Sequence, residues 1–178
     1  SNTYSNALIP YFLEYNTAVI VSPFADLYVN PNGNDSNSGL TPNAPLKTIT
    51  WALLKIKADS LHQQTIHLAN GVYSNSLNGQ IFPLNPKSYV SIIGESEAGT
   101  ILDGDNTYLA MRGFNSEQKV KIRNLTLQHF TMPYATGYVV IECISQRWNP
   151  DNSLRPIDYT LDNITIRHCN PANPDMAL

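Results

Sequence analysis

Charge and cysteine are both scarce in this chain. Of its 178 residues, 14% are charged and two, Cys143 and Cys169, are cysteine. Two cysteines cannot build a disulfide framework, and their spacing matches no zinc motif. Lys and Arg total 11 against 14 Asp and Glu, which gives a formal charge of −3 and a pI of about 5.7. No basic run is present to track phosphates, so nucleic acid is excluded as a natural partner. No apolar run reaches the roughly 20 residues of a membrane-spanning helix, and no membrane span is expected. The first residues lack a basic segment ahead of an apolar core, so a signal peptide is expected to be absent or already removed. Neither a Gly-x-Ser-x-Gly elbow nor a His-Glu-x-x-His helix occurs, which removes the commonest hydrolase and metalloprotease signatures.

Asn, Ser and Thr are plentiful by contrast, and the most informative stretch is rich in them. Leu27 to Asn30 is a short apolar strand, and Pro31 to Pro45 is dense in Asn, Ser, Gly and Pro. Such a composition breaks helices and ladders and marks a loop. From Lys47 to Ser60 the residues Ile49, Ala52, Leu53, Ile56 and Leu61 recur at near-helical spacing, with Lys47, Lys55 and Lys57 mostly off that stripe. This predicts an amphipathic helix, with Thr48 or Thr50 as its N-cap. Thr65 to Leu68 then reads as a strand that stops at the turn Asn70-Gly71.

In that order, Tyr28, Val29, Pro31, Gly33, Asp35, Gly39, Pro45, Lys47, Thr48, Ile49, Ile66, Leu68, Gly71 and Tyr73 resemble the opening of right-handed parallel β-helix proteins of the pectate-lyase-like superfamily. The resemblance implies an all-β solenoid with an N-terminal capping helix. Residues 27–178 would be its first coils, and residues 1–26 a leader or arm that packs on the first coil or docks on a partner. It says little about activity, because one fold hosts many functions.

Beyond Tyr73 helical periodicity disappears and short β-prone runs follow: 89–93, 100–102, 108–111, 120–122, 125–127, 138–141 and 164–166. Their frequency signals a repeat architecture. One repeat aligns directly. Val120 to His129 answers to Tyr159 to His168, so Asn124 maps to Asn163, Thr126 to Thr165 and His129 to His168 at an offset of 39 residues. That offset reads as two coils, with Tyr138 to Ile144 in the coil between. Leu125, Leu127, Ile164 and Ile166 should point inward and stack, while Thr126 and Thr165 face out.

Candidate chemistry is thin. Glu95, Glu97, Asp103 and Asp105 lie on adjoining turns and offer the hard oxygens that calcium takes. Asp103 and Asp105 are the metal candidates, and calcium is the one cofactor considered. The competing reading makes Asp103-Gly104 and Asp105-Asn106 turn residues. Asn30, Asn32, Asn34, Asp35 and Asn37 also offer oxygens, although Asx-turns account for that composition. His129 and His168 could act as base or ligand. In the family an Asn ladder occupies such corners, and stacked histidines would fill the same role. Cys143 and Cys169 could bridge or pack. The sequons at Asn124 and Asn163 are the repeat itself. Arg123 and Arg167 match no lyase base motif.

These readings lead to a secreted or cell-surface module that binds extracellular polysaccharide along its strand faces. A polysaccharide lyase or hydrolase with catalytic coils beyond residue 178, and a structural stalk or adhesin, are the alternatives. The region after Cys169 is too rich in Pro and Asn to cap a solenoid. The chain is therefore expected to continue, or to meet a protein partner at its open C-terminal edge.

Overall fold

Short strands of alternating polarity cannot bury their apolar faces alone, and here they do so by stacking. The computed structural model describes residues 24–106, 109–114, 118–131, 140–144 and 157–169. Its strands are β1 (Leu27–Val29), β2 (Gln64–Leu68), β3 (Gly71–Tyr73), β4 (Val90–Gly94), β5 (Thr100–Asp103), β6 (Met111–Phe114), β7 (Val120–Gln128), β8 (Ile141–Ile144) and β9 (Tyr159–Arg167). Every described pairing between them is parallel. One sheet runs β1-β2-β4-β7-β5-β3 with β9 also on β7, and β6 pairs with β8 in a second sheet. A single parallel sheet of this order must curl, because β4 and β5 both pair with the long strand β7. The result is a strongly curled, β-helix-like all-β solenoid, as the opening stretch predicted in outline.

The core consists of columns along the stack. Leu27, Ile66, Ile92, Ile122 and Leu161 are register partners in turn, as are Tyr73, Leu102, Leu127 and Ile166. All but the last member of each column are buried. In each strand the intervening residues face outward, as the two-residue period requires.

Corners are made by single residues with left-handed backbone. Asn124 and Asn163 have φ of 55° and 52°, and His129 and His168 have φ of 54° and 52°. Asn and His tolerate this region better than most residue types. Each Asn bends its long strand so that one strand serves two faces. Gly94 lies under the first of these bends: a Cβ there would overlap the Asn124 carbonyl oxygen.

The helix predicted over Lys47 to Ser60 is shorter, α1 (Ile49–Lys55), with Ile49, Ala52 and Leu53 against the core. Thr48 is its N-cap, and its side chain accepts from Trp51 N at 3.2 Å. Gln80, fully buried, accepts from Ile49 N at 2.8 Å, a second cap contributed from far along the chain. The helix ends because Ile56 turns to extended backbone to bury its own side chain, and Lys87 Nζ donates to Ile56 O. Leu61, assigned to the apolar stripe, is 85% exposed. A further helical turn, α2 (Asn75–Asn78), occurs where no helix was predicted. It is capped by Ser74, whose hydroxyl accepts from Leu77 N.

Several other expectations change. The repeat offset of 39 residues is one coil, not two, because β7 and β9 pair directly from Val120↔Tyr159 to Gln128↔Arg167. β8 belongs to the same turn as β7 but pairs with β6 on another face. The strand predicted at 108–111 starts at Met111, and that predicted at 138–141 starts at Ile141. Thr126 faces outward but is buried, because the loop after β4 covers it and Thr126 Oγ1 donates to Glu97 O. Leu125 and Leu127 are fully buried, whereas Ile164 is half-buried and Ile166 is 52% exposed on the last described strand. Most of the predicted N-terminal arm and the tail after Cys169 lie outside the described residues.

The column geometry predicts unequal costs for similar truncations. Leu127→Ala removes a fully buried side chain and should cost about 2–5 kcal/mol. Ile166→Ala, in the same column, should cost at most about 1 kcal/mol because the side chain keeps much of its water contact. Urea unfolding of the two variants tests this, and equal losses would contradict the stacking order.

Candidate functional site

The opening loop is closed by its own side chains. Asp35 Oδ1 accepts from Lys47 N and Thr48 N at 2.8 and 2.9 Å, and Oδ2 accepts from Thr48 Oγ1 at 2.9 Å. Asn30 and Asn34 form Asx-turns with Asn32 N and Ser36 N. Gly33 sits where a Cβ would lie 2.5 Å from Leu46 O. These bonds account for the loop composition and place Pro42 and Pro45 as a wall beside the first strands.

Against that wall, the outer face of the sheet carries a row of side chains in register: Tyr28, His67, Ile93, Arg123 and Asp162. The Tyr28 and His67 rings are stacked, with centroids 4.9 Å apart and 17° between planes. Asp26 orients the imidazole: its Oδ2 lies 2.9 Å from His67 Nε2, while its Oδ1 accepts from Thr65 N at 2.7 Å. Farther along, Arg123 Nε is 2.8 Å from Asp162 Oδ2. At the N-terminal end of the row a groove of about 380 Å³ opens between the Pro42 and Pro45 wall and Glu95. It is floored by Tyr28, His67 and Ile93. No motif in the sequence marks His67, because its partner Asp26 lies 41 residues earlier in the chain and is brought to it by strand pairing.

The acidic residues singled out in the sequence occupy a different corner. Asp103 Oδ2 accepts from Gln128 Nε2 at 2.7 Å and lies 2.9 Å from His129 Nδ1, and Oδ1 accepts from Asp105 N at 3.0 Å. Asp105 is turned to Ser76, accepting from its N and Oγ at 2.8 and 2.9 Å. Glu95 Oε2 accepts from Asn70 N, and Glu97 Oε1 accepts from Thr165 Oγ1. Each carboxylate thus has protein donors, and among the described residues no group of three His, Cys, Asp or Glu is arranged to hold a metal.

The corner histidines and asparagines form ladders. His129 and His168 stack with centroids 5.7 Å apart, and Asn163 Nδ2 donates to Asn124 Oδ1 at 3.0 Å. Arg167 Nε donates to Gln128 Oε1. Cys169 is a free thiol that donates to Arg167 O, and the side chain of Cys143 lies outside the described residues. His62 lies on the surface beside Asp59 and Phe24.

The family described as a protein of unknown function (DUF1565) matches residues 31–132, more than half of the chain. The chain belongs to the DUF1565 family. The match runs from the Asn-rich loop through α1 and on past β7, so it covers most of the curled sheet and the groove wall. DUF1565 is associated with parallel β-helix proteins, in agreement with the observed stacking. No curated protein and no solved structure matches the chain.

The Asp103 corner makes a pH prediction. Burial pushes its carboxyl up, but donation from Gln128, Asp105 N and His129 outweighs this and holds it below the usual carboxylate range. A depressed folded-state pKa means that the unfolded chain binds the proton more readily. The stabilisation is therefore present above the ordinary carboxylate pKa and is lost as pH falls through the depressed value. Asp103→Asn should lower stability at neutral pH more than at acid pH, and so flatten the acid side of the stability–pH curve. An unchanged acid limb in thermal melts would contradict this.

Proposed function

We propose that this DUF1565 chain is a right-handed parallel β-helix module, secreted or displayed at a cell surface, whose outer strand face binds extracellular polysaccharide. Right-handedness follows from the general chirality of parallel crossovers. The observation that carries the function is the row Tyr28, His67, Ile93, Arg123 and Asp162, with the groove at one end. Register partners in a parallel sheet repeat at the strand spacing of about 4.8 Å. Such a row offers a straight, regular surface to an extended polymer rather than a closed cavity to a small molecule. The polar but weakly charged composition suits an extracellular setting.

Binding without cleavage is the reading favoured by the charges on this face. Arg123 is paired to Asp162 and His67 to Asp26. A lyase that takes Arg as its base needs the guanidinium to reach a substrate proton, and Arg123 is held by Asp162 instead.

A glycan array probed with the intact protein tests the reading. At least one polysaccharide class should be retained, and Tyr28→Ala should weaken that binding by roughly tenfold, the scale of a buried aromatic anchor. A parallel depolymerisation assay should release no unsaturated sugar. An array with no retained glycan would overturn the proposal.

A further inference from the structure

The charge pattern in the groove distinguishes between classes of polysaccharide. Its lining includes one carboxylate, Glu95, and neither Lys nor Arg. The imidazole of His67 is the remaining group able to carry positive charge there, and Asp26 sits 2.9 Å from it. Glu95 is fixed in place, since its Oε2 accepts from Asn70 N at 2.9 Å. Its charge is felt inside the fold: the Tyr73 phenol is pushed up first by burial and then by Glu95. The cations of this face, Lys121 and Arg123, are on β7, and Arg123 is matched by Asp162.

An anionic sugar entering the groove would meet Glu95 and the Asp26 pair with no Arg fork to receive its carboxylate. Like-charge juxtaposition of this kind disfavours binding, and recognition of carboxylates relies on Arg or on a bridging cation. The apolar side chains that remain exposed to it are Pro42, Pro45 and Ile93, which suit the C–H faces of a sugar ring, whereas Val29 and Leu68 turn theirs into the core. The volume, about 380 Å³, lies within the range of small-ligand sites of about 300–1,000 Å³.

We infer that the groove takes a unit of a neutral polysaccharide, not of a uronate or sulfated polymer; this rests on the proposal that the outer face binds polysaccharide. The apolar walls hold the ring, and Glu95 accepts hydrogen bonds from its hydroxyls while repelling acidic chains. Selectivity then comes from the wrong partner being rejected as much as from the right one being held.

Affinity electrophoresis of the intact protein provides the test. Gels at low ionic strength would contain galactomannan, xyloglucan or mixed-linkage glucan as neutral polymers, and polygalacturonate or alginate as acidic ones. Each gel would be run with calcium and with a chelator. A neutral polymer should retard the protein, and the acidic polymers should retard it at least about tenfold less. Glu95→Gln keeps an oxygen acceptor for Asn70 N and should raise the affinity for acidic polymers relative to the parent. Stronger retardation by an acidic polymer, with or without calcium, would overturn the neutral class while leaving polysaccharide binding standing. Retardation by none of the polymers would overturn both.

Discussion

In-register stacking of parallel strands is the constraint on which this structure depends. Each coil must return to place an aliphatic side chain over the one below it, as Ile66, Ile92 and Ile122 do. A slip of one residue would turn the whole set to solvent. Everything outside the strands serves that return. Asp35 closes the opening loop, Gln80 and Thr48 secure the start of α1, and Tyr73 OH donates to Ala69 O and Val29 O between the first turns. The coils are free to differ in length so long as the columns are kept, so the turn from β7 to β9 is longer than those from β2 to β4 and from β4 to β7.

The same stacking creates the outer surface. Because inward residues are locked in columns, outward residues are locked in rows, and Tyr28 and His67 meet as a consequence of Leu27 and Ile66 pairing inside. The functional proposal is thus tied to the core. A change that shifts an inward column disperses the outer row, whereas a change of an outward side chain leaves the fold alone. Glu95 illustrates the division, since it acts on the groove from a corner and not from a column.

Much of the architecture was legible in the sequence, for identifiable reasons. The Asn-rich loop, the Ile49, Ala52 and Leu53 stripe and the Asn124 and Asn163 repeat each carry a local signal, and each fell where expected. What failed was long-range. The 39-residue offset could not reveal by itself that the loop between β7 and β9 is long, so one coil was taken for two. Leu61 fitted a helical stripe, but Ile56 turned the chain away before reaching it. Thr126 obeyed the alternation, yet a loop from the preceding coil covers it. His67 gave no sign of Asp26 because strand pairing across the opening loop brings them together. The acidic residues that drew attention, Asp103 and Asp105, share a corner region in which each has its own donors, Gln128 and Ser76.

The fold requires β7 and β9 to be successive layers of one stack. Cysteines at positions 123 and 162, in a chain with Cys143 and Cys169 changed to Ser, would read this directly. Direct neighbours in a parallel sheet lie about 5 Å apart, within the range of a disulfide, whereas strands two layers apart are separated by about 10 Å, beyond it. Mild oxidation of Arg123→Cys/Asp162→Cys should give an intramolecular disulfide in the folded protein. Failure of that pair to close, with ready closure of Arg123→Cys/Glu142→Cys, would place another coil between the strands and contradict the account.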